Sequence, residues 1–529
     1  MRPETSRRAG GPDIVSRQKK RYLRGMLSLA VGLACALCAS VGAEPPADTA
    51  VGVPALPAEL SLQECFLRAL DANKDIRVAR LRTGSSEAGI MQAEGEFDVT
   101  IFAEASKGRT NTPVAGVPVT RSETSDTDVS MGVRKRIITG TDVELSASDG
   151  YTRDLTHTSA LNPQHNPGVS VSISQDLLKD RGLAVNRAGI VIARNNWRVS
   201  EEELRDTAMR ILLNVEQAYW DLSYALADLE VRRKERASAE RLVKRAEGRH
   251  RAGDVALIEV TRAQARAAAR SVDIVSAENR VRQTRNRLLQ LMGVLDEETA
   301  SAEFDLVDEP PEVGYRTSLT DALAIAERER PDFVQARLAI ENAGVNERVA
   351  KNQRLPSLQV FGEYSLAGLA DNLSDGTDDI RDGRYGSWQV GLGFTLPFPN
   401  RAARANYRIA LIERRIALVQ QENVLEQITR EVADALENLR AAEARTTRAV
   451  EARDLAERLL RSEEKSFDLG LSDGLDVLSA QQDLAAAERD EVGARTDYAA
   501  ALAGLFRAQG DLLECKGISL SDGQLGATP

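Results

Sequence analysis

Residues Phe467–Leu484 read "FDLGLSDGLDVLSAQQDL", and residues His250–Ala267 read "HRAGDVALIEVTRAQARA". Gly253 and Gly470, Val260 and Val477, Ala263 and Ala480, and Gln264 and Gln481 all stand 217 positions apart. Each stretch interrupts a long helical pattern with glycine and then resumes it. Glycine permits the tight left-handed reversal that ends one helix before the next begins. Each stretch therefore predicts the tip of a helical hairpin, and the chain carries two.

Proline usage supports the hairpins. No proline occurs between Pro167 and Pro310, or between Pro399 and Pro529, and a proline inside a helix costs about 3 kcal/mol. In the first run Leu204, Ala208, Ile211, Val215, Ala218, Leu222 and Leu229 step by three, four or seven; in the second, Leu425, Ile428, Val432, Ala435, Leu439 and Ala442 do the same. That is a heptad seam with charge on the other faces. A helix from Arg187 to His250 would be about 95 Å long at 1.5 Å per residue.

Upstream of each hairpin the pattern changes. "FDVTIFAEASKG" (Phe97–Gly108), "VSMGVRKRI" (Val129–Ile137), "TDVELSASD" (Thr141–Asp149), "GVSVSISQ" (Gly168–Gln175), "SLQVFGEYSL" (Ser357–Leu366) and "SWQVGLGFTL" (Ser387–Leu396) alternate with a period of two. In the last, Trp388, Val390, Leu392 and Phe394 share one face, and small or polar residues share the other. Large apolar groups outward and small polar groups inward is the membrane-barrel pattern. Six strands cannot close such a barrel alone, since the smallest bacterial barrels have eight. An open edge in lipid would leave backbone groups unsatisfied. Copies of the chain must therefore pool strands.

A second repeat precedes the strands. "LQECFLRALDANKDIRVARL" (Leu62–Leu81) matches "LTDALAIAERERPDFVQARL" (Leu319–Leu338) at a separation of 257. The first half thus holds about forty residues more than the second, and they fall among its four candidate strands. The expected organisation is a signal peptide over 1–43 and a linker over 44–60. A first repeat follows over 61–309, with strands in 97–176 and a tip near 253. A second repeat spans 310–513, with strands in 355–398 and a tip near 470, before a tail over 514–529.

The signal peptide rests on a basic segment, Arg17–Arg24, an apolar segment, Met26–Ala39, and small residues ending at Ala43. The apolar segment is too short to span a bilayer. Gly32-Leu33-Ala34 before Cys35 fits a lipoprotein signal poorly, so plain cleavage is expected. Without these residues the formal charge falls from −11 to roughly −17, which argues against nucleic acid as a partner. Cys65 and Cys515 then remain, and export permits either a bridge between them or two free thiols.

Catalytic and metal chemistry find little to stand on. There are three histidines, and His157 and His165 lie in one expected loop. No paired Cys/His spacing, phosphate loop or nucleophile elbow occurs. Asp371, Asp375, Asp378, Asp379 and Asp382 read as a solvated acidic loop. No enzyme activity, cofactor or metal site is expected.

From Leu60 to Leu513 the chain resembles the TolC-like outer membrane factors, the exit ducts of tripartite efflux pumps and type I secretion systems. The resemblance is carried by the duplicated G-x6-V-x2-A-Q tips, the duplicated N-terminal helix, "LPSL" (Leu355–Leu358) and "SQDLLKDRG" (Ser174–Gly182), with Asp176 where proline is common. It implies a mixed α and β fold built from two internal repeats per chain. That fold is a trimeric transmembrane β-barrel continued by a long periplasmic α-helical barrel. It implies a homotrimer in outer membrane lipid, a periplasmic adaptor (membrane fusion) protein, and an inner-membrane transporter driven by protons or ATP. The family norm of two strand pairs per chain gives twelve strands, with the extra pair around Val129–Asp149 held elsewhere; eighteen would follow if that pair inserts too.

The resemblance also assigns roles at the tips. Asp476 matches an aspartate that rings the periplasmic aperture, and Ser479 replaces a second. Glu259 matches an acidic residue that holds the closed gate, Ser472 stands where its arginine partner would be, and Phe467 where a gating tyrosine would be. "LGL" (Leu469, Gly470, Leu471) fits the adaptor-docking pattern; "AGD" around Gly253 departs from it. A competing reading is a structural coiled-coil protein of the envelope that transports nothing, which leaves Trp388, Val390, Leu392 and Phe394 without a purpose.

Overall fold

The computed structural model describes residues 57–115, 120–156, 160–253, 255–302, 304–469, 471–472, 474–519 and 526–527. The expected signal peptide, most of the linker, His157 and Gly470 lie outside the described residues. In chain order the principal elements are α1 (Leu62–Ala72), α2 (Lys74–Glu94), β1 (Val99–Val114), β2 (Thr120–Ile137), β3 (Thr141–Asp154) and β4 (Gln164–Asp176). Then come α3 (Ala188–Ala252), α4 (Leu257–Met292), α5 (Leu319–Glu329), α6 (Pro331–Asn352), β5 (Ser357–Ala367), α7 (Leu373–Arg381), β6 (Tyr385–Thr395), α8 (Arg401–Asp468) and α9 (Gly474–Gln509).

The chain divides into two units. One gathers the strands, Phe97–Leu177 and Leu358–Phe394; the other gathers the long helices, Leu178–Ser357 and the chain from Thr395, together with the segment that ends at Glu96.

In the strand unit all six strands form one sheet in the order β1-β2-β3-β4-β5-β6. The extra hairpin is therefore not held elsewhere, as the family norm suggested; it extends the same sheet. Alternation along a strand specifies which face a residue takes but not which strand lies beside it, so this placement had to come from the pairing. The pairs from β1 to β5 are antiparallel, with Ile101 opposite Val133, Val133 opposite Leu145, Leu145 opposite Val171, and Val171 opposite Tyr364. The acidic stretch before β6 is not a plain solvated loop. Leu373–Arg381 is helical, Asn372 caps it by accepting from the Asp375 amide, and Arg384 pairs with the nearly buried Asp379 at 2.6 Å.

In the helical unit the two sequence repeats become two matching arrangements. Ser61 and Ser318 each cap a short helix by accepting a backbone N–H three residues on. The helices α3 and α8 run for 65 and 68 residues, and α4 and α9 for 36 each. Ala208, Ile211, Val215, Ala218 and Leu222 of α3 are buried with Phe66 and Leu70 of α1 and Leu288, Leu289 and Met292 of α4. Ile428 and Val432 of α8 pack with Ala322 and Ala326 of α5. Among the described residues no helix is long and apolar enough to cross a membrane.

Both remaining cysteines are free thiols, so the bridge raised as one possibility is not formed. Cys65 is buried beside α3, and burial, with Asp308 and Glu64 adding to it, pushes its pKa up to about 12. Cys515 is exposed and donates to Asp511 Oδ2 at 3.5 Å.

Candidate functional site: the hairpin tips and the apolar strand face

At the first tip α3 ends where Gly253 takes a left-handed conformation (φ 86°) and donates its N–H to the carbonyls of Arg249 and His250. An L side chain at this φ would cost about 1–2 kcal/mol, which is why the reversal uses glycine. His250 Nδ1 donates to the Val255 carbonyl at 2.8 Å, tying the end of α3 to the turn. Val260 then buries itself against the hairpin, while Leu257 and Ile258 stay exposed.

At the second tip α8 ends at Asp468 with Leu469 still right-handed, and α9 begins at Gly474. Val477 and Ala480 are buried, as the spacing predicts, and Ser479 is exposed. Asp476 lies in the first turn of α9, where the helix dipole favours a carboxylate. Ser472 Oγ donates to Asp476 Oδ2 over a long 3.4 Å. Leu469 and Leu471 are 74% and 80% exposed, so both expected docking leucines present their side chains to solvent.

Glu259 and Phe467 are brought to one place: both line a cleft of about 900 Å³ between the two hairpins, with Arg245, Arg262 and Arg266 on one wall and Glu464 and Glu488 on the other. Asp476 and Ser479 are not among its lining residues. Glu259 pairs with Arg262 on its own helix at 2.6 Å. Its partner within the chain is thus three residues away, and Ser472, at the position of the expected arginine, bonds to Asp476.

Sequence reasoning missed Leu257, Ile258 and Arg262. Leu257 and Ile258 fall off the seam that Val260 and Ala263 define, and two large apolar residues off a seam at a turn were the available signal. Arg262 stands three residues from Glu259 on one helix, a spacing that places side chains side by side.

On β6 the predicted face is open. Trp388 is 77% and Phe394 63% exposed, and Val390 and Leu392 lie between them, equally uncovered. The opposite face carries Gly391 beneath the Phe361 ring, too close for any Cβ. One face of the strand is bulky and apolar, and the other is small and polar.

The sequence profile of the outer membrane efflux protein family matches residues 142–294 and 322–511. The chain is 26% identical over 377 residues to outer membrane protein TolC of Vibrio cholerae, covering 67% of this chain and 84% of that protein. It is 27% identical over 335 residues to outer membrane protein OprJ of Pseudomonas aeruginosa, covering 60% and 65%. Among solved structures, the Campylobacter jejuni CmeC outer membrane channel superposes with a TM-score of 0.62 at 17% identity, covering 85% of each chain. The open state of the Neisseria gonorrhoeae MtrE channel gives 0.57 at 20% identity, covering 85% of this chain and 89% of that one. With its family profile matched over more than half its length, and the same fold in solved channels, the chain belongs to the outer membrane efflux protein family.

Proposed function

We propose that this protein is the outer membrane exit duct of a tripartite efflux pump or type I secretion system, conducting substrates passively from the periplasm to the exterior. Three copies pool their strands into a barrel in outer membrane lipid, and their helical hairpins form a periplasmic tube whose tips meet an adaptor protein. The adaptor links the duct to an inner-membrane transporter driven by protons or ATP, and that transporter supplies the energy. Selectivity in such a duct comes from its width and wall charge.

The observation that carries this reading is the outward row Trp388, Val390, Leu392 and Phe394 on an edge strand. In water each such side chain left exposed forgoes about 1.5–3 kcal/mol of burial; in lipid the row is already in its preferred solvent. The exposed leucines at both tips fit an adaptor seat in the same way. The test is conductance. Purified protein reconstituted into planar bilayers should insert as trimers and give discrete channel steps. A monomeric, water-soluble product that never conducts would favour the structural coiled-coil alternative instead.

A further inference from the structure

We propose that all six strands of each chain stand in the barrel wall, so that three copies close an eighteen-stranded pore in which β6 of one copy pairs with β1 of the next. The inference rests on the duct reading and adds the strand number, the partner surface and the register of contact.

The apolar belt is continuous from β1 to β5. Ile101, Val133, Leu145, Val171 and Tyr364 lie directly opposite one another in turn across β1 to β5, and all five are exposed. On the other face the row one residue along reads Phe102, Gly132, Ser146, Ser170 and Ser365. A one-residue slip would exchange the faces, yet no slip occurs where the extra hairpin joins. A hairpin lying outside the wall or plugging the lumen has no need of a lipid-facing row in register with its neighbours.

The inner face repeats one piece of packing at both ends of the sheet. Phe102 covers Gly132 on β1 and β2 as Phe361 covers Gly391 on β5 and β6, in each case leaving no space for a Cβ. The sequences agree around both rings: Phe102, Glu104 and Ser106 in β1 answer Phe361, Glu363 and Ser365 in β5. The first hairpin is thus built like the last, although β1 and β2 precede the segments matched by the family profile.

The sheet's two edges identify the partner surface. β1 and β6 are the two edges of the sheet, and an unpaired edge cannot persist in lipid. The chain already contains a contact of the required kind, β4 against β5, where the last strand of the first repeat meets the first strand of the second. β6 corresponds to β4, each ending just before a long hairpin, with Val171 and Ile173 answered by Leu392 and Phe394. β1 corresponds to β5. Transferring the β4–β5 register, in which Val171 faces Tyr364 and Ile173 faces Gly362, sets Leu392 opposite Ala105 of a second copy and Phe394 opposite its Ala103. Large meets small on the lipid side, and Gly393 meets Glu104 on the lumen side. Because barrel diameter grows roughly linearly with strand number, the pore would be about half as wide again as one of twelve strands.

The experiment uses the full-length protein in lipid nanodiscs. A cryo-EM map of the wild-type trimer should contain eighteen wall strands. In a Cys515→Ser background, Ala105→Cys combined with Leu392→Cys should oxidise to covalently linked trimers, because opposed Cα atoms about 4.5–5.5 Å apart lie within disulfide reach. Ala105→Cys with Gln389→Cys, whose side chains take opposite faces, should not link. A twelve-stranded conducting trimer, with β2 and β3 outside the wall, would overturn the inference and leave the duct reading intact. Eighteen strands without the Ala105–Leu392 link would overturn the register, and a non-conducting monomer would overturn both readings.

Discussion

Gly510 lies against Arg330, whose backbone and side-chain stem occupy the place where a Cβ would be, and Gly510 itself is left-handed at φ 81°. Gly293 lies against the backbone of Ala72 and Asn73 in the same way, at φ 75°. The two pairs are the same joint in the two repeats: a helix leaving a hairpin crosses the break between two short helices, closely enough that only glycine fits. Gly510→Ala should therefore destabilise by roughly 2–4 kcal/mol, from the left-handed backbone and from overpacking. Gly504→Ala, in the interior of α9 with nothing near its Cβ position, should be neutral or stabilising by up to about 1 kcal/mol. Thermal unfolding followed by circular dichroism separates the two.

Arg330 itself is only 5% exposed, donates to Glu431 at 2.7 Å and to Asp332 at 2.6 Å, and also reaches the Ala508 carbonyl. Arg330→Ala removes a shared donor from two carboxylates and a carbonyl; Asp332 keeps the Phe333 N–H and Glu431 keeps Gln427, and both carboxylates are about a third exposed, so the loss should be roughly 1.5–3 kcal/mol. Arg330→Lys should recover only part of this, because a single ammonium cannot serve three acceptors in a planar fork. Denaturant midpoints of the two variants would check the order.

Much of this architecture is legible in the sequence because it rests on periodicity. The seam Ala208–Leu222, the reversal at Gly253 and the alternating face of β6 each follow from one local rule, and each is found where that rule places it. What periodicity does not encode is choice of partner. The strands of the extra hairpin alternate like the others, so nothing local says that β2 continues the sheet. Asp371–Asp382 looks like solvent-facing charge until Asn372 caps a helix and Arg384 takes Asp379. The positions expected at a gate, Ser472 and Phe467, depart from the family pattern, and only the structure shows Arg262 beside Glu259 on the same helix.

The thiols offer a pH test. Although Cys515 as a residue is exposed, partial desolvation of its sulfur, with the Asp511 carboxylate beside it adding to the effect, raises its pKa to about 12. Because the thiolate is the reactive form, alkylation at pH 8 should be orders of magnitude slower than for a free thiol. It should rise about tenfold per pH unit between pH 8 and pH 10 instead of levelling near pH 9. Asp511→Asn should speed it, since the carboxylate opposes the thiolate. Cys65, fully buried, should react only on unfolding. Mass mapping of labelled peptides under non-reducing conditions reads both residues at once, and any Cys65–Cys515 cross-link would contradict the free thiols.

At the tips, Leu469→Asp and Leu471→Asp should each weaken capture of a purified adaptor hairpin at least tenfold, since each exchanges an apolar contact for a charge that docking must desolvate. Neither should move the unfolding temperature by more than a few degrees, because both side chains are already in solvent. Leu257→Asp and Ile258→Asp should act alike if both hairpins of the chain meet an adaptor; an effect at Leu469 and Leu471 alone would confine docking to the second hairpin.

The aperture is tested through Asp476. Three copies converging at a mouth would set three exposed carboxylates around it, a ring that concentrates divalent and polyvalent cations. Asp476→Asn should then raise the concentration needed for half-block by a trivalent cation added on the periplasmic side by at least tenfold, with little change for block from the opposite side. The effect should shrink as salt rises, since screening lengths fall to about 3 Å at 1 M. Glu259→Gln is the informative comparison. Glu259 is held by Arg262 and lines the cleft between hairpins, so its loss should leave block unchanged. Equal effects at the two positions would mean that Asp476 does not define the narrowest ring.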